Sequence, residues 1–184
     1  SSFMISAPNQ EAFKQAMRRL AATVTIVATG QAPHRSGLTA TAVCSLTANP
    51  PQVIACLNAS SSTCAHIRET GVFSVNILPN RHQAIAECFS GTGNFVGEQR
   101  FKTGDWIQAP PGIPILADAV AALTCELRHA WEIDTHVILI GAVNSLRVAS
   151  EEAPLVYRNG HFGTWTNLVA CGVRNSLEHA SQVR

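Results

Sequence analysis

Two short stretches separated by a double proline hold most of the chemistry this sequence offers. In the first, Gly37-Leu-Thr-Ala-Thr-Ala-Val-Cys-Ser-Leu46, the hydroxyls of Thr39, Thr41 and Ser45 alternate with apolar neighbours. In the second, which follows Pro50-Pro51, the apolar segment Gln52-Val-Ile-Ala-Cys-Leu-Asn58 ends in an amide, and Ser60, Ser61, Ser62 and Thr63 come after it. Such a surface suits a planar ring with polar edges and a phosphate tail. Hydroxyls at the start of a helix sit beside unsatisfied backbone N–H groups and the positive end of the helix dipole, and both attract a phosphate. Each piece alone has a plainer reading. Threonine alternation is what any β-strand favours, and a serine run is an ordinary helix cap. It is the order of the two along one chain that carries information. Cys56, set within Val-Ile-Ala-Cys-Leu, is expected to be a buried thiol of raised pKa and not a nucleophile.

The succession of Gly37, an apolar residue, Thr-Ala-x-Ala-Val-x-Ser45, the double proline, Cys56-x-Asn58 and Ser60-Ser-x-Thr63 resembles the short-chain flavin reductase family. That family includes the reductase components of two-component flavin-dependent monooxygenases, such as those for 4-hydroxyphenylacetate and chlorophenols. The likeness spans residues 11–165, with further matches at Thr135-His136 and at Pro154-Leu-Val-Tyr-Arg-Asn-Gly-His-Phe162. The resemblance implies a mainly β (α+β) fold, an FMN-binding split β-barrel with flanking helices, assembled as a homodimer with the flavin near the subunit boundary. It also implies an NAD(P)H:flavin oxidoreductase, with NADH favoured, that passes a hydride to FMN or FAD and supplies reduced flavin to a partner monooxygenase. Corrin and pyrimidine-pathway reductases share these motifs. Pyridoxine phosphate oxidation would need a clustered basic site that the sequence lacks, and a flavin storage or sensor protein is the rival from another class.

The same resemblance assigns residues to tasks. Thr39, Ala40, Thr41, Ala42, Ser45 and Leu46 would line the ring edge and phosphate, Cys56, Leu57 and Asn58 the isoalloxazine, and Ser61, Ser62 and Thr63 the ribityl and phosphate groups. Arg100 and Phe101 match a basic-aromatic pair near the flavin. Phe162, with Tyr157, Arg158 and His161, matches a C-terminal hairpin that approaches the cofactors. His136 corresponds to the histidine of a Gly-Asp-His or Gly-Thr-His motif near the nicotinamide, although this chain has Asp134 in place of the glycine. Hydride transfer itself asks for stacking and orientation more than for acid-base side chains, so no catalytic triad is expected.

Composition narrows the alternatives. A chain of 184 residues suits one compact domain. With 46% hydrophobic and 14% charged residues it has more apolar surface than a monomer comfortably exposes, which points to oligomerisation. Thirteen basic against twelve acidic residues give none of the positive excess that nucleic-acid binding needs. Six cysteines, mostly in apolar runs and without a Cys-x-x-Cys pair, and seven histidines without a compact ligand pattern predict buried free thiols, no metal and a reducing compartment. The longest apolar run, residues 137–143, is too short to span a bilayer and no signal region precedes the domain, so a cytoplasmic location is expected.

These residues must be positioned by a specific set of elements. A flexible leader is expected over residues 1–8, the domain over 9–166 and a tail over 167–184. Phe13, Ala16, Met17 and Leu20 fall at helical spacing after Asn9, a natural N-cap. Residues 23–29 read as a strand that forms a hairpin with a single cradle strand, and residues 52–58 as a strand aiming Asn58 at the cradle. A helix over 63–70, a strand over 72–78 and a helix from an Asn80–Gln83 capping box to Phe89 follow. Residues 91–102 read as a loop, and residues 119–131 and 135–148 as two long strands. Asn159-Gly160 predicts the turn of a last hairpin, 155–157 with 161–165.

Overall fold

The computed structural model describes residues 7–149 and 151–169. The chain opens with α1 (Gln10–Met17), capped by Asn9, whose Oδ1 accepts the Ala12 N–H at 2.8 Å. Strands β1 (Ala22–Thr23), β2 (Thr25–Thr29), β3 (Ser36–Ala40), β4 (Val43–Ala48) and β5 (Pro51–Asn58) follow. Next come α2 (Ser62–Thr70), β6 (Val72–Ile77), a short 3-10 turn and α3 (Gln83–Phe89). The chain continues through β7 (Trp106–Ala109), β8 (Ile113–Leu116), the long pair β9 (Ala121–Ile133) and β10 (His136–Val148), and the hairpin β11 (Leu155–Arg158) and β12 (His161–Thr164).

The main sheet runs β3-β2-β6-β9-β10-β5-β4, with every neighbouring pair antiparallel. Its two edge strands are consecutive in sequence, and this shapes the whole molecule. In a flat sheet β3 and β4 would lie about 29 Å apart, six strand spacings of roughly 4.8 Å. Three residue steps from Ala40 to Val43 reach only about 11 Å. The sheet must therefore curl until its edges meet at the corner Thr41–Ala42. There the Cys56 N–H donates to the Ala42 carbonyl at 2.9 Å, but no β3–β4 ladder closes the ring. The fold is mainly β with flanking helices, and where a split β-barrel was expected the hydrogen-bonded sheet stays open between β3 and β4.

Two apolar clusters hold this shape. Val27, Leu57, Ile67, Phe73 and Leu139 lie between α2 and the sheet. Leu78, Ile85, Phe89, Phe101 and Leu116 form the other, around α3. The rings of Phe89, Phe101 and Trp106 meet with centroids 5.0–5.2 Å apart. Gly37 lies against this aromatic trio, and a Cβ there would stand 2.7 Å from the Phe89 ring, so β3 can approach only as glycine.

Several elements lie where the sequence places them. The two long strands, the helix after the serines and the final hairpin all form, and Asn159 and Gly160 both adopt positive φ, 52° and 81°, as a tight hairpin turn requires. Other expectations need correction. The cradle is two strands on opposite sheet edges, not one. The Asn80–Gln83 capping box does not form: the Asn80 amide donates to Thr164 Oγ1 at 3.4 Å, and Gln83 reaches Glu87 at 2.9 Å. The expectation of buried thiols holds for Cys64, Cys88 and Cys125, whereas Cys44 is exposed and Cys56 half-buried; Cys171 lies outside the described residues. Burial pushes the Cys125 thiol up to about 12. Among the described residues no helix is long and apolar enough to cross a membrane.

Candidate functional site

The site grows out of the end of β5. Asn58 is the last residue of that strand, and its Oδ1 accepts both the Ser60 N–H (2.9 Å) and the Ser60 hydroxyl (2.8 Å). This side-chain turn swings the chain out of the sheet and into α2. Ser61 then caps the helix, with Oγ accepting the Cys64 N–H at 3.4 Å. The N–H groups of Ser62 and Thr63 are left without partners among the described residues, as the first turn of a helix dictates. Directly opposite Asn58 in the ladder stands His136, the first residue of β10, and opposite Cys56 stands Ile138. The alternation of strands puts Asn58, Cys56, His136 and Ile138 on one face. His136 is exposed, and its Nδ1 shares a 2.8 Å hydrogen bond with Thr135 Oγ1. Asp134 adopts φ of 52°, the left-handed conformation that glycine favours and aspartate tolerates, so replacing the glycine keeps this turn available.

The corner Thr41–Ala42 lies beside this face, two strand spacings or about 10 Å across β5 from Ile138, with His136 two residues further along β10. Thr41 is exposed and borders three hollows of about 450, 390 and 520 Å³. The first carries Lys14, Arg18 and Arg158. The second carries Glu87, Ser90 and Thr92, and Tyr157 stands between the two. The third is an apolar hollow running under Val43, Cys44 and Ser45. Among the described residues no three His, Cys, Asp or Glu side chains gather as a metal site would require.

Comparison with known proteins decides the family. The flavin reductase like domain family matches residues 17–166. The chain belongs to that family. It is 36% identical over 150 residues to the FMN reductase (NADH) RutF of Agrobacterium fabrum, covering 82% of this chain and 85% of that protein. It is 34% identical over 155 residues to the 4-hydroxyphenylacetate 3-monooxygenase reductase component of Pseudomonas aeruginosa, covering 84% and 91%. A flavin reductase domain protein from Arthrobacter sp. FB24 superposes with a TM-score of 0.79 at 28% identity, covering 88% of this chain and 98% of that one.

Within this flavin reductase-like frame, the residues singled out from sequence divide into two groups. Thr41, Ala42, Ser45, Leu46, Cys56, Asn58, Ser61, Ser62 and His136 are exposed or half-buried. Ser45 and Leu46 sit at a bulge in β4, between Ser45 and Thr47. In the second group Ala40, Leu57, Thr63 and Phe101 are buried at 7%, 2%, 2% and 5% exposure, so Leu57 and Phe101 serve the core and only their backbones are free to face a ligand. Thr39 is half-buried and its hydroxyl is committed to the Ala86 carbonyl at 2.6 Å. Arg100 fastens its own loop, with Nε donating to the Phe95 carbonyl (2.9 Å) and Nη1 to the Gly37 carbonyl (2.8 Å). The Arg35 side chain tightens the same loop through Glu98, whose carboxyl it holds below the usual range, and lies 4.6 Å above the Phe101 ring. Phe162 packs edge-on against Tyr157 at 5.1 Å and helps wall the second hollow. Sequence reasoning missed Glu87, Ser90 and Thr92 on that wall and the cations of α1 on the first. The only signal for Glu87 was its helical spacing from Gln83.

Proposed function

We propose that this chain is an NADH-dependent flavin reductase that transfers a hydride from the nicotinamide to FMN or FAD and delivers the reduced flavin to a flavin-dependent monooxygenase. The observation that carries this reading is the convergence of Asn58, His136, the Thr41–Ala42 corner and the open N-terminus of α2 within a flavin reductase-like chain. The names of the relatives from Agrobacterium and Pseudomonas, one an FMN reductase using NADH and one a monooxygenase reductase component, agree with it.

The residues present fit a flavin. The unpartnered N–H groups of Ser62 and Thr63, with the hydroxyls of Ser61 and Ser62, form an uncharged phosphate seat. The free amide nitrogen of Asn58 and the Thr41 hydroxyl offer hydrogen bonds to a ring edge, with Cys56 and Ala42 beside them. Ala40 and Leu57 contribute backbone alone, Arg100 orders its loop, and Phe162 with Tyr157 walls the far side. When bound, the flavin supplies the electron-accepting centre that takes the hydride. His136 orients the nicotinamide through its exposed ring. It need not donate a proton, because the proton that accompanies reduction exchanges with water.

The finer features of the reading are a split β-barrel arrangement of the curled sheet, a homodimer, the domain limits 9–166 and a cytoplasmic setting. Exposed Phe13 (59%), Leu146 (60%) and Val148 (72%) support a second copy covering apolar surface, and free thiols suit a reducing compartment.

Anaerobic mixing with NADH and either flavin, followed by filtration, tests the function. Flavin absorbance bleaches and reduced flavin passes the filter; tight retention with slow reduction would favour a storage protein instead. His136→Ala slows saturating reduction roughly ten- to a hundredfold, about 1.4 to 2.7 kcal/mol, with flavin affinity unchanged. A collapse of flavin affinity with the rate intact would move His136 into the flavin seat.

A further inference from the structure

The second hollow beside Thr41 differs from its neighbour in the sign of its charge. Its volume, about 390 Å³, falls within the roughly 300 to 1,000 Å³ range of small-ligand sites. Thr41, Ser90, Thr92 and Tyr157 give it a hydroxyl-rich wall, and Glu87 is its one charged side chain among the described residues. Glu87 is half-buried and forms no ion pair there. Its Oε1 accepts the Gln83 amide at 2.9 Å, one helical turn back, which fixes the carboxylate's direction. Its Oε2 has no donor among the described residues. Arg100, on the adjoining loop, gives Nε and Nη1 to the carbonyls of Phe95 and Gly37; it does not line this wall, although its Nη2 stands 3.8 Å from where a Cβ on Gly91 would be. The hollow on the other side of Tyr157 carries Lys14, Arg18 and Arg158 and no acidic side chain.

We propose that this hollow receives the adenosine ribose of the nicotinamide dinucleotide, and that Glu87 selects NADH over NADPH. The inference rests on the flavin reductase reading above. A carboxylate with an open lone pair accepts a hydrogen bond from a ribose 2′-hydroxyl, whereas a phosphate at that position brings its own negative charge of about −1.5 to −2 near neutral pH. Hydroxyls around Glu87 favour a neutral sugar and supply no cation to offset a phosphate. The cations Lys14, Arg18 and Arg158 line the other hollow, across Tyr157. Glu87 acts here on the substrate's recognition end and takes no part in hydride transfer.

The test compares NADH and NADPH for the wild type, Glu87→Gln and Glu87→Asp, using FMN as acceptor. Glu87→Gln raises kcat/KM for NADPH about tenfold, equivalent to about 1.4 kcal/mol, through a lower KM at constant kcat. Its kcat/KM for NADH stays within about threefold of the wild type, and Glu87→Asp, which keeps the charge, restores the discrimination. Calorimetry on the flavin-free protein provides a readout independent of turnover: NADP⁺ binds more tightly to Glu87→Gln than to the wild type, and NAD⁺ does not. If NADH oxidation persists and the ratio of the two dinucleotides is the same in all three proteins, Glu87 does not read the ribose and the proposal falls. If the wild type oxidises NADH with neither FMN nor FAD, the functional reading fails first and takes the proposal with it.

Discussion

The helices α1 and α2 are close in length and begin on similar caps, Asn9 and Ser61, yet they relate to the rest of the molecule in opposite ways. α2 buries Thr63, Cys64 and Ile67 against the curled sheet and ends on Gly71 at φ 70°, whose carbonyl accepts the Leu127 N–H at 2.8 Å. α1 buries nothing. Phe13 and Met17 are 59% and 46% exposed, although the helix carries an apolar stripe as clear as any in the chain. It is fastened behind its C-terminus, where the Asn159 N–H and Arg158 Nε donate to the carbonyls of Arg18 and Arg19 at 3.0 and 3.1 Å. An amphipathic pattern decides which face of a helix is apolar, and whether that face is covered depends on what the sheet presents to it. An isolated helix of this length is marginal in water, and the second copy proposed above would cover the exposed Phe13 and Met17.

The largest expected effects test that contrast directly. Ile67→Ala, which empties a site at 0% exposure, lowers the unfolding free energy by about 2 to 5 kcal/mol in urea titrations. Replacing Phe13 and Met17 together by serine changes the stability of the single chain by about 0.5 kcal/mol or less. If the homodimer proposed above is built on this face, the same pair of changes shifts sedimentation at micromolar concentration from two copies towards one. Unfolding of the single chain by the α1 changes would show that this helix belongs to the core after all, and an unaltered assembly would remove α1 from the interface.

The two helices also show what was legible beforehand. Helical spacing found α1 and the serine run found the start of α2, while β-branched residues found β2 and the double proline found β5, all of them local signals. The corner at Thr41–Ala42 was hidden. It contains neither glycine nor proline, and it arises because β3 and β4 pair with partners on opposite edges of a curled sheet, which the local sequence does not encode. Of the site, Asn58, His136 and the serines were readable as a series of motifs, but their neighbours were not. Glu87 comes to the corner only through the packing of α3 on β3, where Thr39 bonds Ala86. Arg100 and Phe101 were singled out by resemblance alone, and what their side chains also hold, the carbonyls of Phe95 and Gly37 and the rings of Phe89 and Trp106, was not legible locally.

A smaller effect sharpens the difference between the caps. Ser61→Ala removes the acceptor for the Cys64 N–H at the start of a packed helix and costs about 1 kcal/mol of stability. Because Ser61 also belongs to the proposed phosphate seat, its loss weakens FMN more than riboflavin in parallel titrations. Asn9→Ala removes an equivalent bond from α1, but the change stays local: the helix frays in amide exchange while the unfolding midpoint hardly moves. Equal losses of global stability from the two cap changes would erase the distinction.

The smallest effect concerns charge on the outer side of α2. Arg68 reaches Glu132 of β9 at 3.0 Å, but the two side chains are 42% and 63% exposed, so water screens the pair and the gain is about 0 to 1 kcal/mol. Arg68→Met should therefore cost no more than about 0.5 kcal/mol, and the difference from the wild type should vanish near 1 M salt, where the screening length is about 3 Å. Burial already raises the nearby Cys64 thiol while Arg68 opposes it, so removing the cation raises it further. Cys64 accordingly stays silent to a thiol reagent at neutral pH in both proteins, while exposed Cys44 reacts. A loss well above 1 kcal/mol that persists in high salt would mean that charge clamps α2 to the sheet, and that the burial of Ile67 is not what separates this helix from α1.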